Sequence, residues 1–240
     1  MVITLKNWNS ENTGRITILV GHFGSGKTEV ALNMAIALKE SGAEKMALAD
    51  LDIANVYFRS REQKTLLDEK GIELYSNAYG YDITSDLPAL PASLRAPLED
   101  KSFRLVIDAG GNESGARVLN QYGTFLRQED VSVLIVVNVN RPETDSVSKA
   151  EAHLRAIEAE TGLPTSGILS NTHMLKETTP ADIFRGIELC RSLSKNTNIP
   201  FVGSTCLRSL LSELESKSER DENSLVFPID LYMRPTWIDR

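Results

Sequence analysis

Gly21-His22-Phe23-Gly24-Ser25-Gly26-Lys27-Thr28 is the stretch whose reading decides the fold. Gly21, Gly26, Lys27 and Thr28 fill the fixed positions of the pattern GxxxxGK(S/T), a loop that wraps phosphate. The apolar, β-branched run Ile16-Thr17-Ile18-Leu19-Val20 precedes it, and an amphipathic helical pattern from Thr28 to Lys39 follows. Each part has a physical task. Gly21, Gly24 and Gly26 let the backbone curl, so that N–H groups, that of Ser25 included, point inward at phosphate oxygens. The helix starting at Lys27 aims its positive dipole end at the same anion. Lys27 is expected to reach the β- and γ-phosphates, and Thr28 to offer its hydroxyl to a phosphate-bound Mg²⁺. The motif therefore predicts nucleoside triphosphate binding.

Outward from this loop, short β-branched runs alternate with longer amphipathic stretches, the pattern of an α/β fold whose mostly parallel sheet is covered by helices on both faces. About seven strands are expected, at Arg15–Val20, Lys45–Asp50, Ile72–Tyr75, Arg104–Asp108, Val131–Val139, Ser166–Asn171 and Pro200–Val202. Helices are expected at Lys27–Ser41, Phe58–Lys70, Ser114–Arg127, Glu143–Thr161, Pro180–Thr197 and Cys206–Lys217. Ser76–Asp100, with Pro88, Pro91 and Pro97, reads as a loop holding a short helix. Residues 1–240 are expected to form one nucleotide-binding domain, with 218–240 a strand or strap packed on it.

The second strand ends in Asp50-Leu51-Asp52. Carboxylates two residues apart on a strand face the same way, toward the sheet end that opens on the phosphates. The run Leu105-Val106-Ile107-Asp108-Ala109-Gly110-Gly111 places another acid, Asp108, at a strand end near the Mg²⁺ shell. The glycines after it, Gly111 in particular, can bring a backbone N–H to the γ-phosphate because no side chain blocks the approach. Departure of that phosphate would then let 112–117 change conformation. A later strand closes on Asn171, whose amide can pair with the N6/N7 edge of adenine. The guanine-reading tetrapeptide Asn-Lys-x-Asp does not occur, so ATP is expected over GTP.

Composition excludes several function classes. A net charge of −7 disfavours a general nucleic-acid binder, although it leaves room for a local basic patch. Two cysteines, Cys190 and Cys206, make no disulfide framework and read as core thiols, and a cytoplasmic setting is expected. The N-terminal stretch is polar and lacks the apolar centre of a signal peptide, and no run approaches the ~20 residues of a membrane span.

Taken together, the loop, Asp50-Leu51-Asp52 and Asp108-Ala109-Gly110-Gly111 resemble the MinD/ParA/CobQ group of P-loop ATPases, over about Arg15 to Val202. The phrase from Asp50 to Glu62 looks closer still to a little-characterised subgroup of bacterial nucleotide-binding proteins. The resemblance implies that Lys27 and Thr28 bind phosphate and Mg²⁺, that Asp50 lies near the metal and Asp52 near the attacking water, and that two copies pair face to face across two ATP molecules. Many members carry an additional lysine immediately after the first glycine of the loop. Here His22 stands there, and an imidazole is not a fixed cation at neutral pH. Arg59, Arg61 or Arg117 would have to replace that charge. Cluster-bridged relatives place cysteines near the second signature, and this chain has none there.

The leading expectation is a slow, Mg²⁺-dependent ATPase that switches a partner protein between bound and released states. The alternative is transfer of the γ-phosphoryl group to a small acceptor, or amide formation of the CobQ/dethiobiotin-synthetase type. A basic enclosed pocket would favour the alternative, and the 76–100 loop offers only Arg95 as a cation.

Overall fold

A computed structural model describes residues 2–9, 11, 13–52, 63–76, 94–111, 116–127, 130–217 and 223–233. Its strands are β1 (Val2–Leu5), β2 (Ile16–Val20), β3 (Lys45–Asp50), β4 (Ile72–Ser76), β5 (Phe103–Asp108), β6 (Val131–Val137), β7 (Gly167–Ser170), β8 (Phe201–Leu207) and β9 (Asn223–Ile229). They form a single sheet in the order β1-β9-β8-β7-β6-β2-β5-β3-β4. Every ladder between these strands is parallel. The helices are α1 (Lys27–Glu40), α2 (Lys64–Glu69), α3 (Arg95–Glu99), α4 (Gly123–Leu126), α5 (Val147–Thr161), α6 (Pro180–Thr197) and α7 (Leu211–Ser216). The α/β architecture read from the sequence is therefore the observed one.

A parallel sheet has to be covered on both faces, and the strands show why this one is. Ile16, Ile18 and Val20 of β2 join Leu105 and Ile107 of β5, Val133, Ile135 and Val137 of β6, and Leu154 and Ile157 of α5 in one core. Leu19, Val106, Leu134 and Val136 point the opposite way, into a second core built around Val30, Met34 and Leu38 of α1. α6 is fixed locally as well as by packing. Thr179 and Asp182 exchange side-chain and backbone hydrogen bonds across its first turn, and Pro180 takes the position where no N–H is needed.

Topology points to one end of the sheet. From β2 the chain passes through α1 to β3 on one side, whereas from β6 it passes through α5 to β7 on the other. Between the adjacent strands β2 and β6 the connections part, and ligands of open α/β sheets sit outside the carboxyl ends of strands at such a point.

Several boundaries differ from the sequence reading. Cys206 belongs to β8, which runs on to Leu207, and α7 starts only at Leu211. The second half of β8 is held in the sheet by β9, with Ser204 to Leu207 registered on Val226 to Ile229, a partner far along the chain. The expected helix Ser114–Arg127 is, within 116–127, a 3₁₀ segment Arg117–Tyr122 followed by α4, the two meeting at Gly123. Of Phe58–Lys70, the described part is α2 at Lys64–Glu69; 58–62 lie outside the described residues, as do Arg59, Arg61 and 77–93 of the loop. β1 and β9 bring the sheet to nine strands, and β9 lies between β1 and β8. Both cysteines are buried free thiols, each pushed up to about 12 by burial.

The chain past β9 is tied to α1, the helix that begins at the glycine-rich loop. Asn33 donates to Asp230 O at 2.9 Å and accepts from Asp230 N at 2.8 Å. Glu29 accepts from Tyr232 N and Met233 N. Beside this clasp, Trp8 stacks on Phe227 of β9 with ring centroids 3.7 Å apart and planes within 4°. Both rings are buried. Trp8→Ala is expected to cost about 3–5 kcal/mol of stability, the usual range for deleting a buried aromatic. A urea midpoint unchanged from wild type would show that the stack does not hold the sheet edge.

Candidate functional site

The loop between β2 and α1 is shaped by contacts that exclude side chains. Gly26 has a φ of 82° and serves as the N-cap of α1. A Cβ there would overlap the Asn171 amide and lie 3.0 Å from His173 Nε2. No side chain caps the helix, so its first N–H groups are left for an incoming anion.

Beneath this helix end three carboxylates converge. The β3–β5 register sets Asp50 directly opposite Asp108. Asp52 follows two residues on, its N–H donating to Asp50 Oδ1 at 3.2 Å. All three are buried, Asp108 completely. Thr28 Oγ1 donates to Asp108 Oδ2 at 2.6 Å, while Asp108 Oδ1 has no hydrogen-bond partner. Burial, reinforced by the neighbouring Asp50, pushes the Asp108 carboxyl up to about 7.

Lys27 is the ammonium facing this group. It is 5% exposed, and burial lowers its pKa while Asp108 and Asp52 raise it. Its Nζ donates to His22 O at 3.4 Å, a long bond that a phosphate oxygen would readily replace. Three carboxylates against one ammonium leave a deficit of positive charge. The open Oδ1 of Asp108 and the hydroxyl of Thr28 are hard oxygen donors suited to Mg²⁺. Among the described residues no group of three or more His, Cys, Asp and Glu is placed to hold a metal ion by itself. A Mg²⁺ ion here would need water and phosphate oxygens as further ligands, with Thr28, Asp50 and Asp108 the protein groups that could face it.

Asn171 joins the end of β7 to the loop. Its Nδ2 donates to Ser25 O at 2.6 Å, and its Oδ1 accepts from Thr205 of β8. One N–H and one lone pair of the amide remain for a ligand. Buried Asn138, just after β6, donates to Gly24 O and to His173 O, both at 3.4 Å. A cavity of about 270 Å³, lined by Lys176, Leu207, Arg208 and Asp230, lies at the carboxyl ends of β8 and β9.

Charge around His22 is arranged differently from the sequence expectation. Arg117 is paired with Glu160 of α5, and Arg59 and Arg61 lie outside the described residues. The arginine at the loop is Arg141, on the turn after β6, whose Nε donates to Gly24 O at 2.9 Å. No sequence signal marked it, because the contact depends on β6 lying beside β2. His22 itself faces that same turn, with Nδ1 3.6 Å from Glu143 Oε2. Phe23 was equally unmarked. Its ring lies against Gly111, where a Cβ would come within 2.5 Å of Phe23 Cδ1.

No protein-family model matches the chain, and no curated protein matches it significantly. Solved structures do. The signal recognition particle 54 kDa protein from Aeropyrum pernix K1, in complex with GDP, aligns over 80% of this chain at 22% identity with a TM-score of 0.51. Chloroplast FtsY from Physcomitrella patens aligns over 79% at 18% identity and a TM-score of 0.54. The cell division protein FtsY from Thermotoga maritima aligns over 82% at 16% identity and a TM-score of 0.55. The chain spans 41%, 57% and 63% of those three proteins respectively. At these identities the likeness shows the fold alone, a parallel sheet covered by helices on both faces.

His173, beside Gly26, gives the site a pH signature. Its Nδ1 accepts from Leu175 N–H at 3.4 Å, so Nε2 carries the hydrogen, and that buried atom has no partner. Burial and, secondly, the nearby Arg141 charge lower its pKa from 6.5 to about 4. Between those values the unfolded chain binds more protons than the folded one. The contribution to stability is thus complete above pH 6.5 and is lost as pH falls toward 4. Comparing denaturant titrations of wild type and His173→Gln, wild type should lose up to about 3 kcal/mol more on going from pH 7 to pH 4. Parallel pH profiles would show that His173 is protonated in the fold.

Proposed function

We propose that the chain is a P-loop ATPase domain that acts as a nucleotide-dependent switch for a partner protein. The observation that carries this reading is the convergence of Lys27, Thr28, Asp50, Asp52 and Asp108 on the uncapped start of α1. On binding, Lys27 leaves His22 O for the phosphate oxygens, and the N–H groups of 24–28 surround them. Thr28 and Asp108, with Asp50 beside them, would hold Mg²⁺, which would supply neutralising charge at the phosphates. Asp52 orients the attacking water in line with the γ-phosphate, so catalysis is positioning and charge balance. The segments leading away from Asp52 and Gly111 start at the strand ends that carry these carboxylates. Loss of the γ-phosphate would thereby reach a partner-binding surface.

Adenine is the base this site suits. After bonding Ser25 and Thr205, Asn171 keeps one donor and one acceptor, which match N7 and N6 of adenine. Three residues further on, where the guanine-reading tetrapeptide has its carboxylate, stands Met174. With His22 in place of the second lysine, turnover is slow unless Arg141 or a partner cation supplies the missing charge. A cytoplasmic setting completes the reading.

Two variants test it. Lys27→Ala should abolish ATP·Mg²⁺ binding in calorimetry while the thermal unfolding profile remains cooperative. Retained affinity would remove the loop from the binding site. Asp52→Asn should lower the hydrolysis rate about 10²-fold or more, with ATP affinity unchanged, the pattern of an interaction made in the transition state. ADP formation that appears only when a carboxylate or hydroxyl acceptor is added would overturn the switch reading in favour of a transferase. Displacement of ATP by an equal concentration of GTP would overturn the adenine assignment.

A further inference from the structure

Phe23 occupies the third position of the phosphate loop, between the fixed glycines Gly21 and Gly26. Its side chain is half-buried and turns toward the end of β5. There its ring rests on Gly111, so closely that a Cβ on Gly111 would stand 2.5 Å from Cδ1, 2.7 Å from Cγ and 2.9 Å from Cε1. Only a residue without a side chain allows this contact.

Gly111, three residues past Asp108, is the glycine whose N–H is read above as the contact to a γ-phosphate. The ring lies on that residue. Lys27 Nζ stands 6.0 Å from the Phe23 ring centroid, within reach of a cation–π attraction, and donates to His22 O at 3.4 Å. Lys27 is read above as serving the β- as well as the γ-phosphate, so Gly111 is the contact that a third phosphate alone would use. The uncapped N–H groups at the start of α1 and the Thr28 hydroxyl, bonded to Asp108, remain for the first two phosphates.

We propose that Phe23 is the residue that sets di- against triphosphate specificity at this site: ring and third phosphate compete for the flank of Gly111. This rests on the loop binding a nucleotide, as argued above. A nucleoside diphosphate binds with the ring in place. A triphosphate binds only by displacing it, losing the Gly111 contact on the way. The aromatic ring thereby makes the triphosphate state the less favoured one, and a partner that holds the ring aside favours it.

The test is calorimetric titration of Mg²⁺ with ADP, and of Mg²⁺ with a non-hydrolysable ATP analogue, into wild type, Phe23→Ala and Phe23→Tyr. Wild type is expected to bind the diphosphate about tenfold more tightly. In Phe23→Ala the triphosphate affinity rises by about tenfold while the diphosphate affinity stays within about twofold. Phe23→Tyr, which keeps the ring, retains the wild-type ratio. Phe23 lies in a loop and is half-exposed, and matching unfolding curves establish that the variants fold. A ratio unchanged in Phe23→Ala, with both nucleotides still binding, overturns this proposal and leaves the nucleotide site standing. Failure of both nucleotides to bind wild type overturns the nucleotide site, and this proposal with it.

Discussion

One hydrogen bond organises the molecule: Thr28 Oγ1 to Asp108 Oδ2, 2.6 Å long and wholly buried. It joins the first turn of α1, which follows the glycine-rich loop, to the last residue of β5, the strand paired with β2. Because β5 pairs with both β2 and β3, this bond fixes the helix over the carboxylates of Asp50 and Asp108. Its strength comes from burial, since neither partner can exchange it for water. A hydroxyl spent on a carboxylate in this way is also a hydroxyl already aimed at the place where a cation would sit.

The rest of the structure holds that helix in position. Asn33 and Glu29 clasp the chain beyond β9, and the Trp8–Phe227 stack anchors β9 beside β1. Asn171 and Asn138 secure the loop from the opposite side, through Ser25 O and Gly24 O. The carbonyls of Gly24 and Ser25 are thus satisfied by protein, Ser25 N–H donates to His22 O, and the N–H groups at the uncapped start of α1 are left to the ligand. The electrostatics say the same thing. A buried ammonium and three buried carboxylates perturb one another, with Asp108 pushed up and Lys27 pulled both ways. A phosphate and a divalent cation entering together would relieve both, which makes the pocket complementary to the pair rather than to either alone.

How much of this was legible in the sequence follows from the range of each interaction. The loop, Asp50, Asp52 and Asp108 are legible because the strand–loop–helix and apolar-strand–Asp patterns are local, and the ends of β2, β3 and β5 lie within a residue of the expected ones. The α/β class was legible because apolar strands such as 131–137 alternate with amphipathic helices. Contacts set by distant partners were not. Cys206 reads as a helix start until β9 pairs with β8, and Arg117 reads as a free cation until Glu160 meets it. Arg141 and Phe23 carry no motif. Their positions over Gly24 and Gly111 exist only once β6 and β5 lie beside β2. Asn171 was legible as a strand-end amide, but its bonds to Ser25 and Thr205 were not.

The central claim is that the backbone of the loop, and not another cavity, receives the nucleotide. The most direct measurement is amide NMR of the isotopically labelled chain, titrated with Mg²⁺ and a non-hydrolysable ATP analogue. The account predicts that the largest shifts fall on the N–H resonances of Gly24 to Thr28, with the Asn171 side-chain amide moving alongside. Shifts gathered instead at Lys176, Leu207 and Asp230, around the cavity at the ends of β8 and β9, with the loop resonances unmoved, would contradict it.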